Sequence, residues 1–223
     1  MTSGSADVPR ETPPVPDVAR GVFDVRLPEA LAYADLLAGD GVTRGLIGPR
    51  ETPRLWQRHL LNCASLTELI PEGADVCDIG SGAGLPGLVL AIRRPDLRVT
   101  LVEPLLRRTT FLTEVVDQLG LEHVDVVRGR AEGLRGGRQF QVVTSRAVAP
   151  LPRLLDWSIP LVRPGGEVLA MKGSSAEDEL RAVRARLPRL GVPHAEVLQV
   201  GADVTDPPTT VIRLWIRGRA TVR

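Results

Sequence analysis

Cysteine is scarce: the 223-residue chain has two, Cys63 and Cys77. Two cysteines build no disulfide framework, and a reducing cytoplasmic location is the expectation. Standing 14 positions apart with no histidine beside them, they also make no metal site, so no metal is expected. Long apolar runs are missing. None approaches the roughly 18 residues of a membrane span, and residues 1–7 lack the basic flank and apolar stretch of a secretory signal. No membrane partner is therefore expected. Aromatic residues make up only 3%, which disfavours a module that stacks bases on exposed rings. Lysine is nearly absent, since Lys172 is the single lysine among 28 cationic residues. Against 27 acids the formal charge is +1, too little to coat nucleic acid by bulk charge. A codon effect explains the arginine bias. Bidentate recognition of phosphate or guanine, for which the planar guanidinium is suited, is the functional alternative.

What is present is enough apolar material, 43% of residues, for one sizeable core. Residues 1–26, rich in Pro, Asp, Ser and Thr, read as a disordered tail. A single domain is expected over 27–223, made of an N-terminal helical extension (27–73) and an alternating strand–helix core (74–223). In the extension, Pro28 opens a short helix that ends near Gly39 or Gly41, and 45–48 is loop. Thr52-Pro53 offers an N-cap and first-turn proline for a second helix reaching Ile70, with Arg54 and Arg58 one turn apart. Strands are predicted at 74–79, 98–103, 123–128, 140–145 and 166–171, with helices near 85–94, 105–119, 150–161 and 176–190. That rhythm implies a parallel sheet wrapped by helices. Two further strands, 195–201 and 209–217, have no helix between them and should pair antiparallel. The expected fold is α/β with seven strands, helices on both faces and an antiparallel C-terminal hairpin.

The densest signal is Asp78-Ile79-Gly80-Ser81-Gly82-Ala83-Gly84-Leu85-Pro86-Gly87, an apolar strand running into glycines at alternate positions. Glycine permits sharp turns and close approach of a ligand to the main chain. The helix that follows should offer free N–H donors. Gly82, Gly84 and Gly87 satisfy GxGxxG, so a dinucleotide is one candidate. The strand end at Asp78 or Ile79, however, makes Gly80 the first loop glycine and gives the frame GxGxG. Asp78 would repel a pyrophosphate and suits a cationic ligand end, such as the amino group or sulfonium of S-adenosyl-L-methionine (AdoMet). Glu103, closing the second strand, can accept both hydrogen bonds of a ribose diol. In Gly129-Arg130-Ala131-Glu132, after the third strand, a backbone and a small side chain can border an adenine.

The fourth strand ends in Ser145-Arg146-Ala147-Val148-Ala149-Pro150. A guanidinium there suits acceptor atoms or phosphate rather than an amine donor, although a surface ion pair is the plainer reading. Guanine presents O6 and N7 as acceptors. Methylation of N7, which carries a lone pair and no proton, needs alignment and no general base.

Taken together, Asp-Ile-Gly-Ser-Gly-Ala-Gly-Leu-Pro-Gly (78–87), Ser-Arg-Ala-Val-Ala-Pro-Leu (145–151) and Met171-Lys172-Gly173 resemble the RsmG (GidB) family, bacterial 16S ribosomal RNA guanine-N7 methyltransferases. Arg107-Arg108-Thr109-Thr110-Phe111-Leu112 and Arg58-His59-Leu60-Leu61 extend the resemblance to residues 28–217. It implies a class I AdoMet-dependent (Rossmann-like) methyltransferase fold and methyl transfer to a guanine of the decoding region. It also implies AdoMet contacts at Gly80, Leu85, Ala131, Glu132 and Arg146, with Glu103 on the ribose. With the glycine loop, the full candidate cofactor set is Asp78, Gly80, Gly82, Gly84, Leu85, Glu103, Ala131, Glu132 and Arg146. Arg54, Arg58, Arg107, Arg108 and Lys172 are the candidate RNA contacts; Arg146, Lys172 and His59 are candidates for positioning the target. His59 reads equally well as a packed or capping histidine. The expected partner is 16S rRNA or the small-subunit particle, bound by a monomer. The family's usual Asp-Ser after Arg-His-Xaa-Leu is Asn62-Cys63 here, and its Lys-Arg is Arg107-Arg108.

Two other classes remain at this stage. A nicotinamide-dependent oxidoreductase would use the same loop, but the only tyrosine, Tyr33, lies in the extension. A non-catalytic RNA-binding module would keep the pocket as a vestige. The charge distribution bears on both: residues 93–153 hold eleven arginines against seven acids, and 210–223 hold four arginines and no acid.

Overall fold

The structure, a computed structural model, describes residues 12–217. Its seven strands are β1 (Asp75–Ile79), β2 (Arg98–Glu103), β3 (Val124–Arg128), β4 (Phe140–Arg146), β5 (Val162–Lys172), β6 (His194–Val200) and β7 (Thr209–Trp215). They lie in the order β3-β2-β1-β4-β5-β7-β6. Strands β1 to β5 pair in parallel, with Cys77 of β1 in register with Thr100 of β2 and Val143 of β4. β7 is antiparallel to both neighbours, β5 and β6. The predicted hairpin is present, and β7 rather than β6 joins it to the parallel sheet. The central strands are mostly apolar, as in Val99–Val102 where Thr100 alone is polar, and are buried on both faces as parallel strands require.

Two apolar layers cover the sheet. On one face lie the N-terminal elements with α4 (Gly87–Arg93) and α5 (Leu106–Leu119); on the other lie α6 (Leu151–Ser158) and α7 (Ala176–Val183). Phe111, Leu112 and Val115 form the buried stripe of α5, which Gly120 ends with a left-handed C-cap at φ 62°.

Two expectations for the extension need correction. Residues 1–11 of the anticipated tail lie outside the described residues, but residues 12–26 are built into the fold. α1 (Asp17–Phe23) buries Ala19 and Phe23. Phe23 meets Trp56 edge-on at 6.3 Å, and the Trp56 indole donates to Pro13 O at 3.2 Å. A few apolar side chains suffice because a hydrophobic surface is there to receive them. After α2 (Leu27–Leu36), which Pro28 opens as expected, the second helix is not one regular helix. It begins earlier, at Pro49, as a narrow 3₁₀ turn (Pro49–Arg54), widens to a π-helix (Leu55–Leu61), passes through α3 (Asn62–Ala64) and tightens again (Ser65–Leu69). Thr52 lies inside the first turn and caps nothing. The irregular pitch lets one short run bury Leu55, Trp56, Leu60, Cys63 and Leu66 while bringing His59 to the end of β4.

Candidate active site

Strand order reverses between β1 and β4, and open α/β sheets bind ligands in the crevice outside the carboxyl ends at such a point. A cavity of about 770 Å³ opens there. The segments following β1, β2, β3 and β4 all line it, and the N-terminal extension closes one side with Leu46, Ile47, Gly48, Glu51, Arg58 and His59. Of the candidate cofactor residues, Gly80, Gly82, Leu85, Glu103, Ala131, Glu132 and Arg146 line the cavity; Asp78 and Gly84 do not.

The glycines divide into two jobs. Gly80, at φ 70°, faces the cavity, and a Cβ there would press on Val148 at 2.8 Å, so glycine lets the β1 and β4 loops meet. Gly84, at φ 102°, is packed against Leu88 and the Tyr33 hydroxyl and never reaches the ligand space. Tyr33, from α2, donates to Ala83 O at 2.8 Å and pins the loop from beneath.

Most of the loop's own N–H groups are engaged, contrary to the expectation of free donors; within Gly80–Gly87 only Ala83 N–H has no partner. Gly80 and Ser81 donate to Val102 O, Gly82 to Glu103 Oε2 at 3.0 Å, and Gly84 and Leu85 to Ser81 O. At the start of α4, Gly87 N–H donates to Asp78 Oδ2 at 3.0 Å. A pyrophosphate needs such donors free; here the protein supplies its own anion to them. That counts against the dinucleotide reading.

Asp78 is accordingly a correction. It is fully buried beneath the loop and works as an internal cap for α4, so it does not contact a ligand. Burial raises its carboxyl from 3.8 to about 7, with the Gly87 N–H pulling the other way and Glu103 adding to the rise. Glu103, by contrast, stands at the cavity wall. Its carboxylate accepts from Gly82 N–H and Leu105 N–H, each at 3.0 Å, and from Arg108 Nη1 at 3.3 Å. Those three donors aim it.

Beyond the end of β4 a second cavity, about 1470 Å³, shares Arg58, Arg146, Ala147 and Val148 with the first. Arg146 thus stands in the wall between the two. Its guanidinium donates to Arg58 O (2.9 Å), to His59 Nδ1 (2.9 Å) and to Cys63 Sγ (3.4 Å). Ala147 follows at φ 54°, a left-handed alanine held in an unfavourable region beside the site. His59 is buried, and burial together with Arg146 lowers its imidazole from 6.5 to about 4. It is built into the wall, between Glu51 at Nε2 and Arg146 at Nδ1, as the packed reading expects.

The candidate RNA contacts separate. Arg54 and Arg58 are exposed and line the second cavity. Arg107 is exposed but lines neither cavity. Arg108 turns inward to Glu103, drawn by a buried carboxylate. Lys172 lines the second cavity, yet its ammonium is paired with Glu179 at 2.7 Å and donates to Ala149 O at 2.8 Å. It ties the loop after β4 to α7 and is not a free cation, so Arg108 and Lys172 correct the expectation. The Asn62-Cys63 departure is accommodated: Asn62 donates to Thr209 Oγ1 at 2.6 Å and Cys63 accepts from Arg146. Sequence reasoning missed the extension's wall residues, Glu51 above all, and also Arg153 and Trp157 of α6, whose guanidinium and indole stack at 5.0 Å. The amphipathic pattern of α6 was the one signal available for that pair. Among the described residues no group of His, Cys, Asp and Glu side chains is arranged to hold a metal, and no helix is long and apolar enough to cross a membrane.

Comparison with known proteins accords with this geometry. Residues 26–205 match the GidB family model, described as rRNA small subunit methyltransferase G. A ribosomal RNA small subunit methyltransferase G of a Nocardioides species is 65% identical, over 93% of this chain and 84% of its own length. Its namesake in Streptomyces coelicolor is 62% identical, over 92% of this chain and 87% of its own. Among solved structures, a SAM-dependent methyltransferase from Aquifex aeolicus shares the fold at TM-score 0.55 and 17% identity, covering 79% of this chain and 97% of its own.

Proposed function

The chain belongs to the GidB family, rRNA small subunit methyltransferase G, and from that premise we propose that it transfers a methyl group from AdoMet to N7 of a guanine in 16S rRNA. The observation that carries the cofactor assignment is the glycine loop most of whose N–H groups are already bonded within the protein, facing a cavity bordered by Glu103. Such a loop has backbone to pack against a ligand and few donors left for a pyrophosphate. AdoMet, when bound, supplies an electrophilic methyl on its sulfonium.

The residues present fit that cofactor. Glu103 is the acceptor for a ribose diol, Gly80, Gly82 and Leu85 give close main-chain approach, and Ala131 and Glu132 border the adenine. Arg146 faces both cavities and offers donors to guanine O6 or to a backbone phosphate. Because N7 bears no proton, the chain needs no general base, and neutral His59 is not asked to be one. What the protein contributes is alignment, worth several kcal/mol where reacting atoms are held in line. Arg54 and Arg58, exposed beside the second cavity, supply phosphate contacts.

The deciding experiment is nucleoside mass spectrometry of 16S rRNA from a deletion strain, with and without the gene restored. Loss of one 7-methylguanosine and its return on complementation are expected; an unchanged nucleoside profile rejects the activity. Calorimetry should give AdoMet binding and no NAD binding.

A further inference from the structure

We infer that Glu51 is a positioning residue, which fixes the tautomer of His59 and through it the direction in which Arg146 faces the two cavities. The inference rests on the methyltransferase reading and names a residue that acts at that same site.

A guanidinium carries only donors. His59 Nδ1, 2.9 Å from Arg146 Nη2, must therefore present a lone pair, and the ring proton sits on Nε2. Nε2 lies 3.0 Å from Glu51 Oε2, an acceptor. The chain Glu51 to His59 to Arg146 is consistent with one tautomer only. In the other, an N–H would face a guanidinium N–H and the carboxylate would face a bare nitrogen. Arg146 and Glu51 select that tautomer from opposite sides of the ring, and a buried imidazole that lost Glu51 would depend on the Arg146 contact alone.

Glu51 reaches this position because the 3₁₀ turn at Pro49–Arg54 precedes the π-helix carrying His59, placing residues 51 and 59 side by side at the cavity edge. The same carboxylate also lies 3.5 Å from Arg58 Nε. Arg58 gives its carbonyl to Arg146, so both acceptor residues nearest the guanidinium are braced by Glu51. Arg146 stands 87 positions away from His59 and has no acidic partner of its own among the described residues; three neutral acceptors hold it. That leaves its charge unneutralised toward the cavities and makes its orientation depend on hydrogen-bond direction.

The test uses the full chain and the variants Glu51→Ala and Glu51→Gln, with three readouts. Imidazole ¹⁵N NMR, with His59 assigned through His59→Gln, should show protonated Nε2 and bare Nδ1 in the wild type and a mixed tautomer in Glu51→Ala. The single-turnover rate of methyl transfer to small-subunit rRNA should fall about tenfold or more in Glu51→Ala, the scale of a small misplacement. Glu51→Gln keeps an oxygen acceptor and should recover most of the rate and the tautomer. A purely structural role would lower the melting temperature of both variants without moving the tautomer. An Nδ1–H tautomer in the wild type, or a wild-type rate in Glu51→Ala, overturns the inference. If the wild type methylates no RNA, the functional reading fails separately, and the NMR comparison still decides the tautomer.

Discussion

Asp78, beneath the glycine loop, and His59, in the wall of the cavity, are buried ionisable side chains whose surroundings are assembled in opposite ways. Asp78 is bonded locally, its Oδ2 accepting from Gly87 N–H nine positions along the chain, while its buried Oδ1 has no partner. His59 is satisfied by Arg146, 87 positions away, and by Glu51. Burial acts on both, and because one is an acid and the other a base it moves them in opposite directions: Asp78 up to about 7 and His59 down to about 4. The first is a capped turn that any glycine loop of this shape can carry. The second exists only once the extension has docked against β4.

The contrast predicts two stability slopes of opposite sign. Asp78 binds its proton more tightly folded than unfolded, so its contribution is full below its unfolded value of 3.8 and is lost as pH rises through about 7. His59 binds its proton less tightly folded, so its contribution is full above 6.5 and is lost as pH falls through about 4. In the wild type the two largely cancel between these limits. Urea titrations across this window should show stability rising with pH in Asp78→Asn and falling with pH in His59→Gln, each on the order of 3 kcal/mol. Parallel curves for the two variants would break the comparison.

The next largest effect belongs to the distant partner. Arg146→Ala removes the donor on which Arg58 O, His59 Nδ1 and Cys63 Sγ converge, and the single-turnover rate should drop about 100-fold. A rate within threefold of wild type would mean the wall needs no guanidinium. On the local side, Glu103→Ala should weaken AdoMet binding by about 1–3 kcal/mol in calorimetry, the scale of a charge-assisted hydrogen bond; unchanged affinity would remove Glu103 from the ribose. The smallest effect separates free from captured cations. Arg54→Ala should lessen the salt dependence of RNA binding by roughly one phosphate contact, whereas Lys172→Ala should leave that slope alone and lower the melting temperature.

What could be read in the sequence follows the same division. Strand positions, the switch point and the glycine loop depend on neighbours within a turn or two, and the parallel core and hairpin stand where periodicity placed them. Gly80, Gly82 and Glu103 belonged to that local pattern. Asp78 belonged to it too, but its role turned on depth: a strand-end acid reads alike whether it faces a ligand or lies under the loop. The captures of Lys172 by Glu179 and of Arg108 by Glu103 depend on side chains folding back across a strand–helix turn, which residue spacing does not announce. Glu51 was hidden because its importance comes through His59 and Arg146, on elements that meet only in three dimensions. The supposed tail was misjudged for a related reason, since Ala19 and Phe23 look too few until Trp56 is beside them.

The hydrogen bond between Asn62 and Thr209 joins positions 147 apart, and Thr209 also donates back to Asn62 O at 3.1 Å. Thr209 opens β7, which enters the sheet between β5 and β6. On a translating ribosome, emerging at about 5–20 residues per second, the segment bearing Glu51 and His59 therefore waits roughly seven to thirty seconds for this anchor. For that interval the glycine loop can already be formed while the shelf that aims Arg146 lacks its tether. The order of synthesis thus makes the tether of the shelf that aims Arg146 one of the last contacts of the fold to form.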